Sequence, residues 1–137
     1  MIIAVDFDGI LCENEFPEIG EPNYKMISFV RELIDEGHEV ILWTSRADAR
    51  LVEAVEWCKD RGLHFCAVNE NAPSNREQYE KEHPAGTRKV YADVYMDDHD
   101  ALFYFATCLE NRVSRDIWVT IIDRYRRVIK YVQNRQG

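Results

Sequence analysis

Four short apolar runs set the frame of this chain, and each ends on residues that carry chemistry. Residues 2–5 run into Asp6, 40–43 into Thr44, 63–68 into Asn69, and 94–96 into Asp97 and Asp98. Runs this short and rich in β-branched residues read as buried strands. Between them lie stretches with apolar residues at helical spacing. Residues 24–36 place Met26, Ile27, Phe29, Val30, Leu33 and Ile34 together, and Gly37 follows as a stop. Residues 47–61 place Leu51, Val52, Val55 and Cys58 inward and stop at Gly62. Strand, helix, strand, helix, strand predicts an α/β fold: a Rossmann-like three-layer sandwich around a mostly parallel sheet.

The 137 residues suit one domain, with a motif-bearing core over 1–100 and a helical extension over about 101–137. Two segments break the alternation. Residues 9–23 contain Pro17, Gly20 and Pro22 and read as a turn structure. Residues 69–88 contain Pro73, Pro84 and Gly86 among polar residues and read as a long functional loop. Residues 101–109 are apolar at nearly every position, which fits strand or helix equally. Residues 113–132 predict a helix, with Ile117, Ile121, Tyr125, Val128 and Val132 as one stripe and Arg115, Arg124, Arg126, Arg127 and Lys130 opposite.

Charge is divided along the same line. The chain carries 25 acids against 17 Lys plus Arg, a net charge of -8. A surface so acidic argues against nucleic acid as a partner. Residues 110–137 reverse the sign, with 7 basic residues against 3 acids. That basic helix suits the acidic body, a second subunit or a polyanion, against the simpler reading of a solvated face. No apolar run approaches the ~20 residues of a membrane span. The opening residues reach Asp6 without a basic segment, so no signal peptide is expected and the cytoplasm is the expected compartment. Cys12, Cys58, Cys66 and Cys108 form no C-x-x-C pair and read as free thiols.

Ligands of open parallel sheets bind beyond the carboxyl ends of the strands. Asp6, Asp8, Asp97 and Asp98 would therefore converge on one edge with Thr44, and Lys89 lies just before the last strand. Carboxylates so close repel, and a hard divalent cation is the usual remedy. Mg2+ favours one or two carboxylates together with water and phosphate oxygens. Gly9, Ser45, Arg46 and Asn69 flank these positions and are the candidates for holding substrate. Ser45 also reads as a helix N-cap with Asp48 three residues on. Arg46 reads equally as a phosphate contact or a solvated first-turn residue. Asn71, Glu70 and Arg76 lie where specificity would be set. Among His38, His64, His83 and His99, His99 alone lies beside the edge in sequence, as a loop residue.

The set resembles the haloacid dehalogenase superfamily of phosphotransferases. Its four motifs appear in order: Asp6-Phe7-Asp8-Gly9-Ile10 after an apolar strand, Thr44 after a second, Lys89, and Asp97-Asp98 after the last. The resemblance covers about residues 1–100. It implies Asp6 as the nucleophile that becomes an aspartyl-phosphate, and Asp8 as the acid that protonates the leaving oxygen and then activates water. It implies Mg2+ held by Asp6 and Asp98 side chains and the Asp8 carbonyl, with Asp97 orienting water or Lys89. Thr44 and Lys89 would meet the phosphoryl charge. Gly9 would let the backbone turn away.

Neither 10–23 nor 69–88 is long enough for the cap domain many members carry. The resemblance thus implies an open site, for a small phosphorylated metabolite or a bulky phosphoester, or one covered by a second copy through the C-terminal helix. A metal-dependent nuclease or phosphodiesterase and a receiver-like phospho-acceptor are the competing readings. The first is disfavoured by charge, the second by the acid at Asp8.

Overall fold

The computed structural model describes residues 1–103 and 116–137. Four strands, β1 (Ile2–Val5), β2 (Glu39–Leu42), β3 (Ala67–Val68) and β4 (Val94–Met96), form an all-parallel sheet in the order β3-β2-β1-β4. Ile2 pairs with Glu39 and Val5 with Leu42 on one side of β1, and Ile3 pairs with Val94 on the other. Among the described residues the sheet is accompanied by α1 (Tyr24–Asp35), α2 (Asp48–Asp60), α3 (Pro73–Glu82) and α4 (Ile117–Gln136).

Alternation along the strands divides the core. Ile3, Val5, Val40, Leu42, Val94 and Met96 face the larger cluster, with Phe29 and Val30 of α1, Cys58 of α2, and Ile121, Tyr125 and Ile129 of α4. Ile2, Ala4 and Ile41 face a smaller one with Ala72 and Ala92. Connectivity explains the asymmetry. The step from β1 through β2 to β3 runs in one direction, and right-handed crossovers put α1 and α2 on one face. The return to β4 on the far side of β1 puts α3 on the other. These are the layers of a Rossmann-like sandwich, one thick and one thin.

Caps fix the helix ends. Asn23 Oδ1 accepts from Met26 N–H at 3.3 Å while its Nδ2 donates to the Ile10 carbonyl, which ties α1 to the loop after β1. Gly37, at φ +90°, turns the chain from α1 toward β2. Asp116 caps α4 by accepting from Trp118 N–H.

Several sequence expectations are corrected. The segment 69–88 contains α3, whose Pro73 stands at its start and whose length is laced by Lys81–Glu77 and Gln78–Glu82 pairs. The helix buries no residue, so it has no apolar period to read. The run 63–68 yields only two residues of strand; Leu63 is buried beside α2 instead. In α2, Ala54 and Cys58 are buried and Val55, as expected, packs partly buried against the same core, while Val52 is exposed, because it lies off that stripe. Residues 101–103 are helical; 104–109, and with them Cys108, lie outside the described residues, as do Arg115 and the expected helix start at 113–115. The α4 stripe packs as expected: Ile121, Tyr125 and Ile129 are buried, and Arg126 makes a bidentate pair with Glu32 of α1 at 2.7–2.8 Å. Among the described residues, no helix is long and apolar enough to cross a membrane.

Candidate active site

β1 and β4 are neighbours whose connections leave in opposite directions, which makes their carboxyl ends the switch point where such sheets bind ligands. Asp6 leaves β1 there, its N–H donating to the Met96 carbonyl at 2.9 Å. Asp97 and Asp98 leave β4. Carboxyl oxygens of Asp6, Asp97 and Asp98 lie within 4.8 Å of one another. Burial pushes the Asp6 carboxyl up to about 8; the Phe7 N–H, 2.8 Å from its Oδ1, opposes this, while the charges of Asp97 and Asp98 add to it. Asp98 is likewise raised, first by its own burial. Among the described residues, no lysine or arginine forms an ion pair with any of the three; His99, at 3.8 Å from Asp98, is the nearest basic partner.

Gly9 gives this cluster its room. Its φ of +82° suits glycine, and a Cβ there would come within 2.6 Å of Asp98 Cγ. The glycine of the D-x-D-G run is needed so that a side chain from β4 can reach across the β1 loop.

Asp8, two residues from Asp6, has the opposite environment. Arg46 grips both its oxygens at 2.8 Å through Nε and Nη2. The same guanidinium donates to the carbonyls of Pro17 and Glu18 and lies over the rings of Phe7 and Phe16, at 5.1 and 5.2 Å. Arg46 is 2% exposed, so it is no solvated first-turn residue. Local pattern could not reveal a partner 38 residues away. The signal available was its place: the first arginine after a strand that ends beside Asp8.

At the end of β2, Thr44 N–H donates to Asn69 Oδ1 at 2.8 Å, and Thr44 Oγ1 accepts from Arg46 N–H at 3.2 Å. Asn69 thus braces the strand end and does not line the cavity. Ser45 lines it, but it is not the cap of α2. That position falls to Ala47, whose side chain makes no cap bond, because Thr44 to Arg46 are taken up in the turn that buries Arg46. Glu70 and Arg76 pair with each other, and Asn71 accepts from Tyr91 N–H.

One cavity of about 410 Å³ gathers Asp6, Asp8, Asp98, Thr44, Ser45 and Arg46, with Asn14, Phe16 and His99 at its walls. Asp97 and Lys89 line a second, neighbouring cavity together with Trp43 and Tyr95. Lys89 Nζ lies 5.2 Å above the Tyr95 ring. The cavity of Asp6 and Asp8 is therefore lined without Lys89. Asp100, which the sequence did not single out, anchors the segment after β4: it accepts from Phe103 N–H at 2.6 Å and from the Tyr125 hydroxyl at 2.9 Å.

Fold and site together define a parallel α/β protein with an acid cluster at its switch point. No family model matches the chain, and no curated protein matches it. Among solved structures it is similar to a conserved protein coded by a locus from Bacteroides thetaiotaomicron, at 32% identity and a TM-score of 0.64, over 84% of this chain and 98% of that one. The chain belongs to the same family as that protein.

Proposed function

We propose that the chain is a Mg2+-dependent phosphatase of the haloacid dehalogenase type, a hydrolase of phosphate monoesters that works through an aspartyl-phosphate on Asp6. The observation that carries this reading is the trio Asp6, Asp97 and Asp98, three carboxyl groups within 4.8 Å at the switch point, with burial disfavouring the charge of Asp6 and Asp98. An all-oxygen donor set of this kind fits a hard divalent cation. Asp6 and Asp98, which share one cavity, would hold it, with Asp97 beside them. When bound, Mg2+ supplies positive charge to phosphoryl oxygens.

The chain's own residues supply the rest. Phe7 N–H fixes Asp6 Oδ1, which orients the carboxylate for attack on phosphorus. The Oδ–P bond forms as the ester P–O bond breaks, and Asp8 donates the proton to the leaving oxygen. Asp8 then takes a proton from the water that cleaves the acyl phosphate. Arg46 uses one lone-pair site on each Asp8 oxygen, which leaves the others for this exchange in the cavity Asp8 lines. Thr44 Oγ1 accepts from Arg46 N–H, so its own proton is available to a phosphoryl oxygen. Lys89 stands on the Asp97 side, in the neighbouring cavity.

The openness of this site fits a small phosphorylated metabolite or a bulkier phosphoester in the cytoplasm, a compartment consistent with the free thiols of Cys12, Cys58 and Cys66. Hydrolysis of an aryl phosphate, with and without EDTA and with Asp6→Asn as control, tests the reading. We expect loss of turnover in both cases; undiminished activity in the Asn variant rejects the mechanism.

A further inference from the structure

We infer that the substrate's leaving group carries a planar ring and that Phe16 is the platform on which it stacks. The inference deepens the phosphatase reading and rests on it for the position of the phosphoryl group beside Asp6. A cavity of about 410 Å³ is of the size that encloses a whole small molecule, more than a phosphate needs. Phe16 is the one apolar side chain among the described residues that line it. Apolar surface of a substrate therefore has a single place to go.

An exposed phenylalanine is unremarkable by itself. Phe16 is 60% exposed, but it is not loose. The Arg46 guanidinium lies 5.2 Å from its ring centre, and that guanidinium is buried and bolted by four hydrogen bonds, two of them to Asp8. The ring and the acid that serves the leaving oxygen thus share one rigid mount. A flat group laid on Phe16 is held at a fixed offset from Asp8, and a braced ring gives up little freedom on binding. The chemical class is a phosphate monoester of an aromatic or heteroaromatic alcohol, or of a sugar that bears a nucleobase.

The test is calorimetric binding to the Asp6→Asn protein at fixed Mg2+, which needs no turnover. Adenosine 5′-monophosphate is compared with ribose 5-phosphate, and phenyl phosphate with glycerol phosphate. A preference for the ring-bearing member of either pair supports the inference, and the pair that shows it tells nucleobase from simple aryl. Phe16→Leu, which keeps apolar bulk but loses the planar face, should cut that preference about tenfold, and Phe16→Trp should restore it. Equal affinity within both pairs, or a preference that survives in Phe16→Leu, overturns it. Because affinity is read directly, failure of the phosphatase reading would appear separately, as wild-type protein that binds these esters and hydrolyses none.

Discussion

The carboxyl edge of the sheet has two halves that treat acids in opposite ways. On the β1/β4 side, Asp6, Asp97 and Asp98 crowd together without an ion pair to lysine or arginine among the described residues. On the β1/β2 side, Asp8 meets a buried arginine that donates one hydrogen bond to each of its oxygens. The two halves are two residues apart on one loop. One brings its own cation and is electrostatically finished, with a lone pair on each Asp8 oxygen still open to the cavity. The other has Asp6 and Asp98 disfavoured as carboxylates by burial, and in the proposed phosphatase it is the unfinished half that a cation from solution would complete.

The largest effect that should separate the halves is on turnover. Asp6→Asn should lower kcat by roughly 10⁴-fold or more, as loss of a covalent nucleophile does, while raising the melting temperature of the metal-free protein at pH 8. A variant that lost both activity and stability would place Asp6 in the finished half. Next comes Arg46→Met. It strands Asp8 without its partner and should destabilise the fold by about 3 kcal/mol in denaturant titration, as removal of one member of a buried pair does. A loss below ~1 kcal/mol would show that the Asp8–Arg46 pair behaves like a surface contact.

Proton and metal linkage gives a smaller, sharper difference. In the metal-free protein Asp6 keeps its proton up to about pH 8, whereas the unfolded chain releases it near the ordinary 3.8. Folding takes up a proton across that window, so metal-free stability falls as pH rises through it. Mg2+ at tenfold excess over its Kd should add about 1.4 kcal/mol. For a given Mg2+ concentration, the gain in melting temperature should be larger at pH 8.5 than at pH 6, where the ion must displace the proton. Equal gains at both pH values would detach the metal from Asp6. The smallest effect belongs to the far end of the molecule. Arg126→Ala removes the half-exposed pair with Glu32 and should cost under about 1 kcal/mol without changing kcat.

Much of the unfinished half was legible in the sequence and little of the finished half was. Strand ends are announced by short apolar runs, and in a parallel sheet those ends share one edge. Asp6, Asp97 and Asp98 could therefore be brought together from order alone. The α4 stripe was legible for the same kind of reason, since it packs with the period of a helix. The Asp8–Arg46 clamp depends on how a turn after β2 buries one guanidinium against the carbonyls of Pro17 and Glu18, and no local period encodes that. Helix α3 escaped because its residues are polar all round. Lys89 was chosen by its place in the motif order, and the chain brings it to Asp97 and Tyr95 instead of to the cavity of Asp6.

The central claim is that Asp6 carries the phosphoryl group. Wild-type protein mixed with an aryl phosphate and Mg2+, quenched in acid within the first turnovers and analysed by peptide mass, tests it directly. The account predicts one phosphate on the peptide containing Asp6, absent with EDTA and absent in Asp6→Asn, and gone within seconds once substrate is exhausted. Hydrolysis that proceeds with no phosphate on that peptide, or a phosphate that persists for hours as on a receiver, would contradict it.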